Sequence, residues 1–104
     1  MDPLNFKLSI NVPETSIIHS LITLVCERMK RIDELLHEAK TIEINLNQSG
    51  SQEDENLMVV AEIKLAHPAG LIHEKCESKM WDAAFFNALD QVKARIENAV
   101  LISN

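Results

Sequence analysis

His67, His73 and Cys76 are the residues of this chain whose types could make a metal site, since two imidazoles and a thiol close together are a donor set that zinc accepts. Their spacing speaks against it. They straddle the turn His67-Pro68-Ala69-Gly70, and in an extended strand His73 and Cys76, three positions apart, point to opposite faces. His67 is therefore expected at a turn and His73 on an exposed strand face. Cys26 and Cys76 are expected as reduced thiols, too few for a disulfide framework. No Ser-His-Asp spacing or paired-carboxylate cleft is visible, and two glycines in the chain leave no phosphate cradle. The sequence thus predicts neither an enzyme nor a bound metal or cofactor.

A second chemistry is open to the chain, the neutralisation of phosphate by fixed cations. The candidates are Arg28 and Arg31 in an apolar-striped segment, Lys7 and Lys64 in alternating segments, Lys75 and Lys79 near Cys76, and Lys93 with Arg95 towards the end. Lys30 belongs to the same patch. Their number is modest, ten Lys and Arg against sixteen Asp and Glu, giving a formal net charge of −6. Several have carboxylates at pairing distance in sequence. Arg31 has Glu27, Glu34 and Glu38 at helical spacing, and Lys64 is expected beside Glu43 and Glu62 on one sheet face, which reads as readily as an ion-pair lattice as an RNA platform. Trp81 and Phe85 fall on an apolar stripe and are read as core anchors rather than base-stacking residues. Phe86 lies on its flank, where it is open to a partner.

The elements that must position these residues follow from periodicity. Phe6, Leu8, Ile10 and Val12 alternate with polar residues, as do Ile42, Ile44 and Leu46, and then Val59, Ala61, Ile63 and Leu65; Leu71 to Glu77 reads as a return strand. Ile18, Leu21, Val25, Met29, Ile32 and Leu36 mark a long helix, with Thr15 or Ser16 as its N-cap. Trp81, Ala84, Phe85, Ala88, Leu89, Val92 and Ile96 mark a second. The order is β-α-β-β-β-α. Strands with one apolar face need cover on that side alone, so the sequence predicts an α+β two-layer sandwich: a mostly antiparallel four-stranded sheet with both helices on one face. One domain over residues 1–104 is expected, with a flexible acidic hairpin loop at 48–56 and a C-terminal tail at 98–104. No apolar run reaches the ~20 residues of a membrane span, and Met1-Asp2-Pro3-Leu4 does not open like a signal peptide, so no membrane partner and a cytoplasmic location are expected.

Taken in order, the strand-helix-strand opening, Ile32-Asp33-Glu34-Leu35-Leu36, Val60-Ala61-Glu62-Ile63-Lys64-Leu65, the Pro-Ala-Gly turn with Ile72-His73 after it, and Trp81-Asp82-Ala83-Ala84 leading to Ala88-Leu89-Asp90-Gln91-Val92 carry a resemblance. From Phe6 to Ile96 the chain resembles the ribosome hibernation-promoting factor and ribosome-associated inhibitor family, in its short, sigma modulation protein-like form. The resemblance implies a β-α-β-β-β-α fold similar to double-stranded RNA-binding domains. It also implies a bacterial stress or stationary-phase protein that binds the small ribosomal subunit and its rRNA, blocking the decoding channel by steric occlusion. Arg28 and Arg31 fall where members of that family tend to be basic.

Two features depart from the family pattern. The basic C-terminal tail is replaced by Glu97-Asn98-Ala99-Val100-Leu101-Ile102-Ser103-Asn104, and the hairpin loop carries Glu53, Asp54 and Glu55. A second reading follows, that of an acidic divergent member acting as a protein–protein interaction module without ribosome binding. Phe86, Val100, Leu101 and Ile102 would serve it, as a homodimer contact through the second helix and tail. The acidic loop separates the two readings. If the domain docks on rRNA, neutralising Glu53, Asp54 and Glu55 to Gln or Asn should tighten ribosome binding at low salt, an effect lost as salt screens the loop. An interaction module should stay at background in the same sedimentation series.

Overall fold

The computed structural model describes residues 6–12, 15–32, 36, 39–49, 58–68 and 70–103 of the chain. Four strands, β1 (Lys7–Asn11), β2 (Thr41–Ser49), β3 (Met58–His67) and β4 (Gly70–Ser78), form one sheet in the order β1-β2-β3-β4. β1 pairs with β2 in parallel, because the helix α1 (Ile18–Arg31) carries the chain back between them. The β2–β3 and β3–β4 pairs are antiparallel. α2 (Trp81–Ser103) closes the order, so the expected β-α-β-β-β-α arrangement and mostly antiparallel sheet are the ones found. Where β3 turns into β4, Gly70 adopts φ +133°, a value that side-chain-bearing residues rarely take.

Register sorts the side chains between two faces. Ile42, Leu65 and Ile72 lie in one row across β2, β3 and β4; Leu8, Ile44, Ile63 and Glu74 lie in the next, and Ile10, Leu46, Ala61 and Cys76 in the one after. On this face Leu21, Val25 and Met29 of α1 and Ala84, Phe85, Ala88, Leu89, Val92 and Ile96 of α2 complete a single core. Both helices therefore cover the same side of the sheet. Ile44, Ile63, Val25, Phe85 and Val92 are buried as their period requires, whereas Leu8, Ile10 and Ile32 are only half-buried. For the two strand residues the reason is topological, since β1 is a short edge strand.

Three local expectations differ. α1 is preceded by a 3-10 turn at Thr15–Ile17 that absorbs the proposed capping residues, so Ile17 stands at the N-cap and makes no side-chain cap bond. α1 closes at Arg31 rather than running through Leu36. Ile32, at φ −114°, leaves the helical conformation there, although Leu36 is still fully buried in the core. α2 continues to Ser103, beyond the tail boundary expected at residue 98, because Ala99, Val100 and Leu101 include no glycine or proline to stop it. The acidic stretch Glu53, Asp54 and Glu55 lies outside the described residues, as do the side chains of Val100, Leu101 and Ile102.

Phe85 is the largest fully buried side chain, central to the seat of α2 on the sheet. Phe85→Ala should lower the unfolding free energy by about 3–5 kcal/mol, measured by urea denaturation. A loss under about 1 kcal/mol would mean that α2 is not anchored through this ring.

Candidate nucleic-acid interface

The uncovered sheet face carries the strand residues of the opposite phase. Lys7, Glu43, Lys64 and His73 form one row across all four strands, and Ser9, Asn45, Glu62 and Lys75 form the next. Glu62 is the hub. It accepts a 2.6 Å hydrogen bond from His73 Nε2 and a 3.2 Å bond from Asn45 Nδ2, with Lys64 Nζ 3.8 Å away. The His73 bond is the main reason that the Glu62 carboxyl titrates below its ordinary 4.5, against the opposing effect of burial, with Asn45 and Lys64 adding to the lowering. Lys7 lies 4.0 Å from Glu43. The expected cross-strand pairing is found for Lys7 with Glu43, whereas Lys64 pairs with Glu62 along its own strand, so both lysines stand beside carboxylates. His73 lies on this uncovered face, whereas Cys76 lies on the core face, where burial pushes its thiol up.

Arg95 is engaged elsewhere. Glu74 falls on the core face of β4 in register with Ile63, and Arg95 of α2 pairs with it at the rim of the core. Nothing in the charge pattern singles out Glu74, yet its phase does: it stands two residues from Ile72 and two from Cys76, both on the inward side. An inward charge on an edge strand also discourages pairing with another chain.

The remaining cations meet at the helices. Arg28 and Arg31 of α1 and Lys93 of α2 line one groove between the two helices, together with Ile32, Phe86, Leu89 and Asp90, enclosing about 310 Å³. The Arg28 guanidinium lies over the Phe86 ring with Cζ 4.0 Å from its centroid, a stacking contact worth about 0.5–1 kcal/mol at such a partly exposed site. Phe86 is thereby held at the groove, while its neighbour Phe85 points into the core. Among the described residues neither Arg31 nor Lys93 is held in an ion pair. Lys75 and Lys79 are exposed on and just after β4, away from the residues that line the groove. Of the nine cations proposed from sequence, three converge, and Lys30 is exposed on α1 outside the groove lining. Asp90 had not been marked; its signal was its place one helical turn before Lys93 and after Phe86.

No protein-family model and no curated protein matches the chain. Several solved structures are similar to it, among them the following two. The N-terminal domain of Protein Y from Thermus thermophilus aligns with a TM-score of 0.70 at 20% identity, covering 91% of this chain and 98% of that one. A ribosomal subunit interface protein from Coxiella burnetii aligns with a TM-score of 0.67 at 14% identity, covering 89% and 96%. The chain thus has the fold of these proteins over nearly its whole length.

The bonds around Glu62 make an acid-sensitive contribution to stability. A carboxyl whose folded value is depressed stabilises the fold above its unfolded value, and that contribution is lost as pH falls through the folded value. Wild type should therefore lose stability below about pH 4.5 in part through Glu62. Glu62→Gln should be less stable at pH 7 and should show a shallower acid limb in urea midpoints measured from pH 7 to pH 3. Parallel limbs would remove Glu62 from the acid response.

Proposed function

We propose that this protein binds the small ribosomal subunit through the groove between α1 and α2, and represses translation by occupying the decoding channel without catalysis. The observation that carries the reading is the convergence of Arg28, Arg31 and Lys93 around one aromatic ring in a chain of net charge −6, while Lys7, Lys64 and Arg95 are drawn to carboxylates. The fold shared with a ribosomal subunit interface protein supports it, as does the sequence resemblance. Phosphate oxygens suit these three side chains, since arginine offers a planar fork of donors and lysine a point charge. On this reading the protein acts in the cytoplasm of a bacterium under stress or in stationary phase. Its inhibition is stoichiometric and reversible.

The uncovered face favours a second reading. Its cations stand beside carboxylates, and Leu71, exposed at 86%, marks an apolar end beside Ala66. A surface of that kind suits a protein partner better than phosphate, in keeping with an interaction module.

Co-sedimentation with ribosomes across a salt series decides between them. If the three groove cations each meet a phosphate, a fourfold rise in salt should weaken binding about fortyfold. Arg31→Ala with Lys93→Ala should weaken low-salt binding and flatten that slope, with little change in melting temperature, because neither side chain is buried. A wild type that stays in the supernatant at low salt leaves the interaction module as the function.

A further inference from the structure

The groove contains a group that a phosphate surface does not call for. Asp90, exposed and held in no ion pair among the described residues, stands among Arg28, Arg31 and Lys93 where a carboxylate repels phosphate. Beside it lies a stacking surface. Arg28 lies over the Phe86 ring, both are only half-buried, and a guanidinium plane is a surface on which a base can stack. A carboxylate, a planar stacking group and two further cations within about 310 Å³ match the three parts of a nucleotide: hydrogen-bonding base edge, base plane and phosphate.

We propose that the groove between α1 and α2 is a guanine-nucleotide site, in which Asp90 reads the base edge, Arg28 on Phe86 stacks on the base, and Arg31 and Lys93 hold the phosphate. The base follows from the chemistry of Asp90. An ionised carboxylate is an acceptor only, with two oxygens side by side. Guanine alone among the common bases presents two adjacent donors on its pairing edge, N1–H and the N2 amino group, and so meets the carboxylate in a bidentate pair. Adenine offers one amino donor next to the N1 lone pair, which the carboxylate repels, and cytosine has the same defect at N3. Uracil places its one N–H donor between two carbonyl acceptors. Selection is thus both attractive and repulsive. Since the pairing edge must be free, the base comes from a mononucleotide or from an unpaired position of an RNA; the shared chemistry is guanine with an attached phosphate.

The inference rests on reading the groove as a nucleic-acid surface, with Arg28 stacking on a base in place of meeting a phosphate, and it is tested apart from ribosome binding. Calorimetry on the full chain with guanosine, inosine and adenosine 5′-monophosphates, and with inorganic phosphate, supplies the probes. Guanosine monophosphate should bind about tenfold or more tighter than adenosine monophosphate, as expected for one bidentate base contact. Inosine monophosphate, which keeps N1–H and lacks the amino group, should fall between. Asp90→Asn should erase that order while strengthening inorganic phosphate binding, because a negative charge leaves the groove; Phe86→Leu should weaken all three nucleotides and leave inorganic phosphate unchanged. Single-stranded RNA hexamers with and without one guanine then separate the two sources: preference in the hexamers as well as the mononucleotides assigns an unpaired RNA base, and preference in the mononucleotides alone assigns a free nucleotide. Equal binding of the purine monophosphates, or an order that survives Asp90→Asn, overturns the proposal even where ribosomes pellet normally. Guanine preference without ribosome pelleting overturns the ribosome reading and leaves the pocket.

Discussion

Everything in this molecule depends on the sheet having one face that is apolar across its central strands and another that carries most of its charges. Ile42, Ile44 and Leu46 of β2 and Val59, Ala61, Ile63 and Leu65 of β3 are all buried on a single side, and the two helices have nowhere else to go. Side by side on one surface, they leave a groove along their line of contact. Its depth is set by what fills the core beneath it. Phe85 and Leu89 are buried, and so Phe86 and Asp90, one position on along α2, stand at the groove opposite the Arg28 and Arg31 face of α1. The candidate site is a geometric consequence of core packing, and its cations are placed by backbones that are already fixed.

The same one-sidedness governs the charges. A sheet face that is not covered carries mostly polar residues, and opposite charges placed near one another on it attract. Lys7 stands beside Glu43 across the β1–β2 ladder and His73 hydrogen-bonds Glu62 across the β3–β4 ladder, while Lys64 meets Glu62 along β3 itself. Glu74 is the exception that follows the rule of phase rather than of polarity: placed on the apolar side of an edge strand, it takes Arg95 from α2 as its partner. Leaving such a carboxylate without a partner at 11% exposure would expose the fold to the desolvation penalty of a nearly buried charge.

What was legible in the sequence was periodic. The strands and helices could be read because Ile42 to Leu46 repeats every second residue and Trp81 to Ile96 at helical spacing, and the side chains that define those repeats are the ones buried. Ends were less legible. Thr15 and Ser16 have the side chains of a direct helix start, although the first turn closes as 3-10, and α1 stops at Arg31 while its apolar period runs on to Leu36. Of the site, the basic residues were visible by type, yet which of them would be left unpaired was not. Arg95 and Lys93 are two positions apart on α2, and only the register of β4 decides that one meets a carboxylate and the other a groove. That decision joins residues about twenty apart in sequence, beyond the reach of any local pattern.

Net charge was for the same reason a poor guide to surface chemistry. A count of sixteen acids and ten bases describes the field far from the protein, whereas a ligand at the groove feels charges within about one screening length, roughly 8–10 Å at physiological salt. Among the described residues that line the groove, three are cations and one is a carboxylate. Glu43, Glu62 and Glu74 have cations as neighbours, so much of the acidity they add to the count is compensated where it stands. Pairing rather than composition therefore sets the local sign, and an acidic chain can present a cationic groove because its fold pairs those carboxylates within the sheet and at the core rim and, among the described residues, leaves Arg31 and Lys93 outside any ion pair between the helices.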